Sequence, residues 1–300
     1  MKVAVMGAGA VGCYFGAMLS RAGHDVTLIA RPQHVEAIRR NGLLFESRSF
    51  NGRIPVQATE EASGVKNADI VLFCVKSTDT ESAGRAIMPF LKADAAILCL
   101  QNGVDNAERL QAVTARVAIP AVVYVAAEMA GPGHVKHNGR GELIIGRSSA
   151  SDEIAPQFVA AAIPTTVSDK VIRELWIKLI TNCAYNALSA VAELPYGPLL
   201  QVKGVTDVMR NVIDECEAVA RALNIPLPAT LRDTTFALAA SMPDQYSSTA
   251  QDLKRGKPTE IDYLNGYVVR QGTTLGIPTP TNLALQVMVK ACETHHQPHS

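Results

Sequence analysis

Over its first half the chain alternates short apolar runs with amphipathic stretches. Lys2 to Met6, Asp25 to Ala30, Asp69 to Val75, Ala95 to Leu100 and Val117 to Val125 have the length and near-continuous apolarity of strands buried on both faces. Helical patterns separate them: one between Gly7 and Gly23, then Pro32–Arg40, Ser82–Leu91 and Asn106–Ala112. This repetition predicts a doubly wound, mostly parallel sheet. Gly42 to Val56, broken by Gly52 and Pro55, reads as a hairpin or irregular edge. From Gly131 the rhythm changes. Gly131-Pro132-Gly133 and Asn138-Gly139-Arg140-Gly141 flank the short extended runs His134–His137 and Glu142–Ile145, which predict antiparallel strands closing the edge of the sheet. A helix and a short strand follow, ending near Ser168.

Beyond that point the period is helical. Arg173 to Val191 is one long apolar-rich helix, stopped by Pro195-Tyr196-Gly197-Pro198. Val205 to Leu223 is amphipathic, with Val208, Val212, Cys216 and Val219 on one side. Further helices are expected over Ala229–Ala240, from Glu260, and over Asn282–Ala291, with Met242–Ser248 a polar loop. Two domains are therefore expected: residues 1–168, an α/β nucleotide-binding domain, and residues 169–300, an all-helical substrate and catalytic domain.

The first strand runs into Gly7-Ala8-Gly9-Ala10-Val11-Gly12, a G-x-G-x-x-G turn at a strand-to-helix junction. In this pattern the first glycine permits the turn, the second lets a pyrophosphate approach the backbone, and the third lets the helix sit close to the sheet. Amides of the helix's first turn would hold the phosphates. Gly23-His24 and the strand from Asp25 complete the context that a dinucleotide site requires. At the end of that second strand stand Ala30 and Arg31, with no carboxylate before Glu36. A carboxylate would accept bonds from the adenosine ribose of NADH and repel a 2′-phosphate, whereas a guanidinium binds that phosphate. NADPH is therefore favoured over NADH, the alternative for Arg31 being a solvated surface charge.

Composition narrows the classes. The 300 residues are 48% hydrophobic, and 28 basic side chains balance 28 acidic ones. No basic tract points to nucleic acid, and no apolar run reaches membrane-spanning length. Six scattered cysteines lack metal-site or redox spacing and read as small buried hydrophobes in a reducing compartment, which together with the absent leader pattern predicts a cytoplasmic protein. No metal is expected. The histidine-bearing tail from His295 reads as a frayed polar terminus.

Lys178, Asn182 and Asn186 recur at four-residue spacing on the long helix and so share one side, in a helix otherwise largely apolar. A buried polar stripe needs partners. A polar ligand would supply them, as would a structural network with a neighbouring helix. Desolvation would lower the lysine's pKa and make it a usable acid. Pro258-Thr259-Glu260-Ile261-Asp262 reads as a helix start with Thr259 as N-cap and Asp262 reciprocating, leaving Glu260 in the first turn as a partner for Lys178 or as a capping residue.

The glycine motif, Cys74-Val75-Lys76, Gln101-Asn102-Gly103, WIKLITNCAYNAL (Trp176–Leu188) and STAQDLKRGKPTEIDYLNG (Ser248–Gly266) together closely resemble the ketopantoate reductase (2-dehydropantoate 2-reductase) family, over essentially the whole chain. The resemblance implies a Rossmann domain followed by a helical domain of the 6-phosphogluconate dehydrogenase C-terminal type. It implies NADPH-dependent reduction of 2-dehydropantoate to (R)-pantoate, in pantothenate and coenzyme A biosynthesis. It makes Lys178 the catalytic lysine and Glu260 the acid that holds substrate and lysine. It places Asn102, Asn182, Asn186 and Ser248 at the substrate, Arg31 and Lys76 at the adenosine phosphate, and Asn102 and Glu260 also against the cofactor. The expected partner is a small 2-oxo acid, the expected assembly a monomer or homodimer. Thr249, Ala250, Gln245 and Tyr196 depart from residues common in the family, so another branched 2-oxo acid or a β-hydroxy acid is the alternative substrate. A non-catalytic dinucleotide sensor is a more distant alternative.

Overall fold

The computed structural model describes residues 1–296. The chain divides into two compact units, the first Met1–Ile172 and the second beginning at Arg173.

In the first unit ten strands form one sheet: β1 (Lys2–Met6), β2 (Asp25–Ile29), β3 (Leu43–Glu46), β4 (Asn51–Ile54), β5 (Gln57–Thr59), β6 (Ile70–Phe73), β7 (Ala96–Cys99), β8 (Ala118–Gly131), β9 (His134–Gly146) and β10 (Thr165–Ser168). Their order is β4-β3-β9-β8-β7-β6-β1-β2-β5, with β10 also on β9. The run from β5 to β8 is parallel throughout. Chain order reverses beside β1, which is the switch point where doubly wound sheets bind ligands. Five α-helices lie wholly in this unit: α1 (Ala10–Arg21), α2 (Pro32–Asn41), α3 (Thr80–Ile87), α4 (Asn106–Thr114) and α5 (Ser151–Ala160). Alternate residues of each central strand serve opposite cores. Val3, Val5, Ile70 and Leu72 pack with Phe15 and Leu19 of α1, while Ala4, Val71 and Phe73 pack with Ile87 of α3 and Leu110 of α4. Burial on both faces is why these strands read as unbroken apolar runs.

The antiparallel pairing expected after Gly131 is present, but it does not form the edge of the sheet, because β3, β4 and β10 lie beyond it. The two short runs there are one strand, β9, antiparallel to β8 with shifts of register near Val125, Ala127 and Gly131. Arg140 (φ 61°) and Gly141 (φ 145°) absorb the irregularity inside the pairing rather than ending it. The other edge of β9 is covered by β3 at its start and β10 at its end, both parallel.

The second unit is helical: α6 (Val171–Ala192, which starts within the last residues of the first unit), α7 (Tyr196–Gln201), α8 (Val205–Ala222), α9 (Leu231–Ser241), α10 (Ser248–Lys254), α11 (Asn265–Leu275) and α12 (Pro280–His296). The amphipathic face expected of α8 is buried at Val212, Cys216 and Val219, while Val208 is only half-buried. A polar knot crosses this unit: Glu215 of α8 accepts from the amides of Thr281 and Asn282 (2.8 and 2.9 Å), and Asn265 of α11 donates to Asn282 Oδ1 (3.0 Å) and to Cys183 O (3.2 Å). It caps α12, whose first-turn amides would otherwise lack acceptors.

All six cysteines are free thiols, and burial pushes Cys13 and Cys99 up to about 12. Among the described residues no helix is long and apolar enough to cross a membrane, and no group of His, Cys, Asp and Glu could hold a metal ion. Of the histidine-bearing tail, residues 297–300 lie outside the described residues.

Candidate active site

Gly7, Lys76 and Asn102 follow the carboxyl ends of three adjacent strands, β1, β6 and β7. The turn after β1 is tied down by Gly7 N and Ala8 N, which both donate to Ile29 O (3.1 and 2.9 Å). Gly7 adopts φ +88°, and a Cβ there would lie 2.6 Å from Val75 N. A Cβ on Gly12 would lie 2.7 Å from Val5 Cγ1, which is the close helix–sheet contact the motif predicts. Gly9 caps α1 without a side-chain bond, and a Cβ there would meet nothing within 4 Å. The space over the first turn is thus open, and the amides of Ala10, Val11 and Gly12 have no acceptor within the helix. A dinucleotide pyrophosphate fits that cradle in shape and in charge. Arg31 is exposed at the end of β2, where its carbonyl starts α2.

The loops carrying Lys76 and Asn102 are pinned together by side chains the sequence does not single out. Asn102 O accepts from Asn106 Nδ2 (2.6 Å) and from Ser77 Oγ (3.1 Å). Asn106 Oδ1 in turn accepts from Thr80 (3.0 Å) and Arg109 (3.2 Å), and Arg109 also reaches Ser77 O (2.8 Å). Arg109 forks onto Glu81 with two bonds of 2.7 Å. Truncating Asn106 would strand several of these groups in a buried place. Asn106→Ala should therefore lose about 1–3 kcal/mol of stability, read as a lowered urea midpoint.

The Arg109 bond holds the Glu81 carboxylate below the usual carboxylate range. A depressed folded pKa means that the stability from this pair is present above the unfolded pKa, near 4.5, and lost as pH falls through the folded value. Glu81→Gln should then be destabilising at neutral pH, and in denaturation curves the difference from the parent should shrink as pH falls below 4.5 and through the lowered folded value, where the carboxylate becomes protonated in both states of the parent.

In the second unit α6 carries Lys178 and Asn182 half-buried and Asn186 only 2% exposed. Eight residues put Lys178 about 12 Å along the axis from Asn186. Asn186 Nδ2 stands 3.5 Å from Ser248 Oγ at the start of α10. The neighbouring Ser247 makes that approach. Its hydroxyl donates to Asn186 O (3.1 Å), accepts from Ala250 N as the cap of α10 (3.0 Å), and its amide donates to Ser189 (3.3 Å). Two adjacent serines thus divide the work: Ser247 is buried as a clip, while Ser248 is exposed.

Glu260 is 8% exposed, but it does not stand in the first turn of an α-helix. It precedes a single 3-10 turn, Ile261–Tyr263, and α11 begins only at Asn265. Thr259 does turn back onto the chain, its hydroxyl accepting from Ile261 N (3.3 Å). Asp262 does not reciprocate, since it faces Gln286 (2.7 Å) and Lys290 (3.2 Å) on α12. The helix-field argument for Glu260 therefore lapses. Of the departures, Thr249 and Tyr196 are buried, and the Tyr196 ring packs 4.5 Å from that of Tyr185.

Two family models match the chain: "Ketopantoate reductase PanE/ApbA" over residues 3–150 and "Ketopantoate reductase PanE/ApbA C terminal" over residues 170–293. A 2-dehydropantoate 2-reductase of Pyrococcus horikoshii is 31% identical, over 98% of each chain. The structure of a PanE/ApbA family ketopantoate reductase from Ralstonia eutropha JMP134 superposes with a TM-score of 0.97 at 55% identity, covering 99% of this chain and 100% of that one. D-mandelate dehydrogenase, solved with NADH and anilino(oxo)acetate, superposes at 0.92 with 25% identity over 99% of both.

Proposed function

The chain belongs to the ketopantoate reductase family, and from that premise we propose that it reduces 2-dehydropantoate (ketopantoate) to (R)-pantoate with NADPH, in pantothenate and coenzyme A biosynthesis. The match of both family models, one to each half of the chain, carries this reading. When bound, NADPH supplies the hydride to the C2 ketone. The amides of Ala10, Val11 and Gly12 hold its pyrophosphate, Arg31 and Lys76 the adenosine 2′-phosphate, and Asn102 and Glu260 its reactive end. Lys178 donates a proton to the ketone oxygen as charge develops there. Glu260 orients Lys178 and the substrate. Asn182, Asn186 and Ser248 bond the substrate's polar groups, and the Ser247 clip on Asn186 fixes where Ser248 stands. The reading places the enzyme in the cytoplasm, as a monomer or a homodimer.

A second reading comes from D-mandelate dehydrogenase, whose fold this chain shares. By that reading the substrate is another 2-oxo acid. The discriminating experiment is steady-state NADPH oxidation with ketopantoate, 2-oxoisovalerate and phenylglyoxylate in parallel. A site that bonds the terminal hydroxyl of ketopantoate rejects analogues lacking it, because its own polar groups are left unpaired. Ketopantoate should give the highest kcat/KM. An equal or higher value for 2-oxoisovalerate or phenylglyoxylate would remove the pantoate assignment and leave the reductase class.

A further inference from the structure

Glu260 has its neighbours in the chain fastened to α12 on both sides. On one side, Glu293 Oε1 accepts from the Thr259 amide (2.8 Å) and from the Thr259 hydroxyl (2.5 Å). On the other, Asp262 accepts from Gln286 (2.7 Å) and pairs with Lys290 (3.2 Å). Lys290 joins the two anchors, since its ammonium is 2.6 Å from Glu293 Oε2. Thr259 and Glu260 are both buried and the Glu293 side chain is only 11% exposed, so the Thr259–Glu293 anchor is not a solvated surface pair, whereas the Asp262–Lys290 anchor is exposed. Burial by itself would raise the Glu293 carboxyl, yet Lys290 and the Thr259 bonds outweigh it and hold it ionised below its usual range. No α-helix begins at Glu260; its carbonyl accepts from Tyr263 N (2.9 Å) in a single 3-10 turn, and the strap anchors that short turn to α12 on either side.

We infer that Glu293 is a positioning residue for the reductase reaction: through its two bonds to Thr259 it sets where the Glu260 carboxylate stands. The inference rests on the proposed role of Glu260. Glu293 touches neither substrate nor cofactor, and it acts on the geometry of a group that does. Misplacing such a group by about 1 Å costs up to roughly a hundredfold in rate. The E293Q side chain would keep a carbonyl oxygen for both Thr259 donors, whereas E293A keeps none.

The test is kcat and substrate KM for E293A, E293Q, T259V and E260A, and for the E260A/E293A double variant. Circular dichroism of each serves as the check on folding. E293A should lose roughly ten- to a hundredfold in kcat/KM, and T259V should lose part of that. E293Q should stay within about threefold of the parent, because the acceptor is retained. In the E260A background the further E293A loss should largely vanish, since both changes act through one carboxylate. Equal E293A losses with and without Glu260 would make Glu293 a structural residue and overturn the inference, as would parental activity in folded E293A beside an impaired E260A. Should E293A fail to fold, E293Q and T259V decide: T259V at the parent's kcat/KM overturns it. An E260A enzyme with full activity would overturn the role of Glu260 itself and this inference with it.

Discussion

Replacing Lys178 by alanine should lower kcat by roughly 10² to 10⁴, the usual worth of a positioned general acid. Lys178 is the cation of the polar stripe on α6, a helix whose other sides are buried at Leu179, Ile180, Cys183 and Ala184. On the proposed mechanism, removing the ammonium would leave the ketone oxygen to develop charge without a donor. NADPH affinity should barely change, because the glycine turn, Lys76 and Arg31 all belong to the first unit. Removing Glu260 should lower kcat and raise substrate KM together, and the two losses should be less than additive if the carboxylate works through the lysine. The measurement is steady-state kcat and KM for both single variants and the double variant at one pH, with NADPH titrated separately. Near-parental turnover by Lys178→Ala would move the acid elsewhere.

Replacing Arg31 by alanine should weaken NADPH by roughly ten- to a hundredfold and leave NADH nearly unchanged. This is the equivalent of about 1.5–3 kcal/mol for a lost charge-assisted bond. Arg31 stands exposed at the end of β2, next to the strand that carries the glycine turn, and no carboxylate occupies that strand end. Calorimetric titration of both cofactors reads the difference directly. Equal losses for the two would take Arg31 off the phosphate.

How much of this is legible in residues alone follows from where each element finds its partners. The central strands are legible because both of their faces are buried, so Val3, Val5, Val71 and Leu72 leave no polar alternation to misread. The polar stripe of α6 is legible because four-residue spacing is a local property. β9 reads as two runs because Asn138–Gly141 has the composition of a turn, and only its pairing with β8 shows that the irregularity is a bulge. α7 is hidden because Pro195 and Pro198 read as breakers. Pro198 stands at the third position of a helix beginning at Tyr196, where its missing amide proton would have found no intrahelical acceptor. The setting of Glu260 is misread for a different reason. Thr259 does fold back on Ile261, but its amide and hydroxyl go to a residue 34 positions away. Likewise the Ser77–Asn106–Arg109 network joins residues up to 32 positions apart, and only the sheet brings them together. Local chemistry is visible in the sequence and tertiary chemistry is not.

The most direct measurement is NADPH oxidation by the purified full-length protein with ketopantoate, with pantoate quantified in the same reaction. The account predicts sustained turnover with one (R)-pantoate formed for each NADPH consumed, and loss of that turnover in Lys178→Ala. No NADPH oxidation with ketopantoate, or oxidation without formation of pantoate, would contradict it.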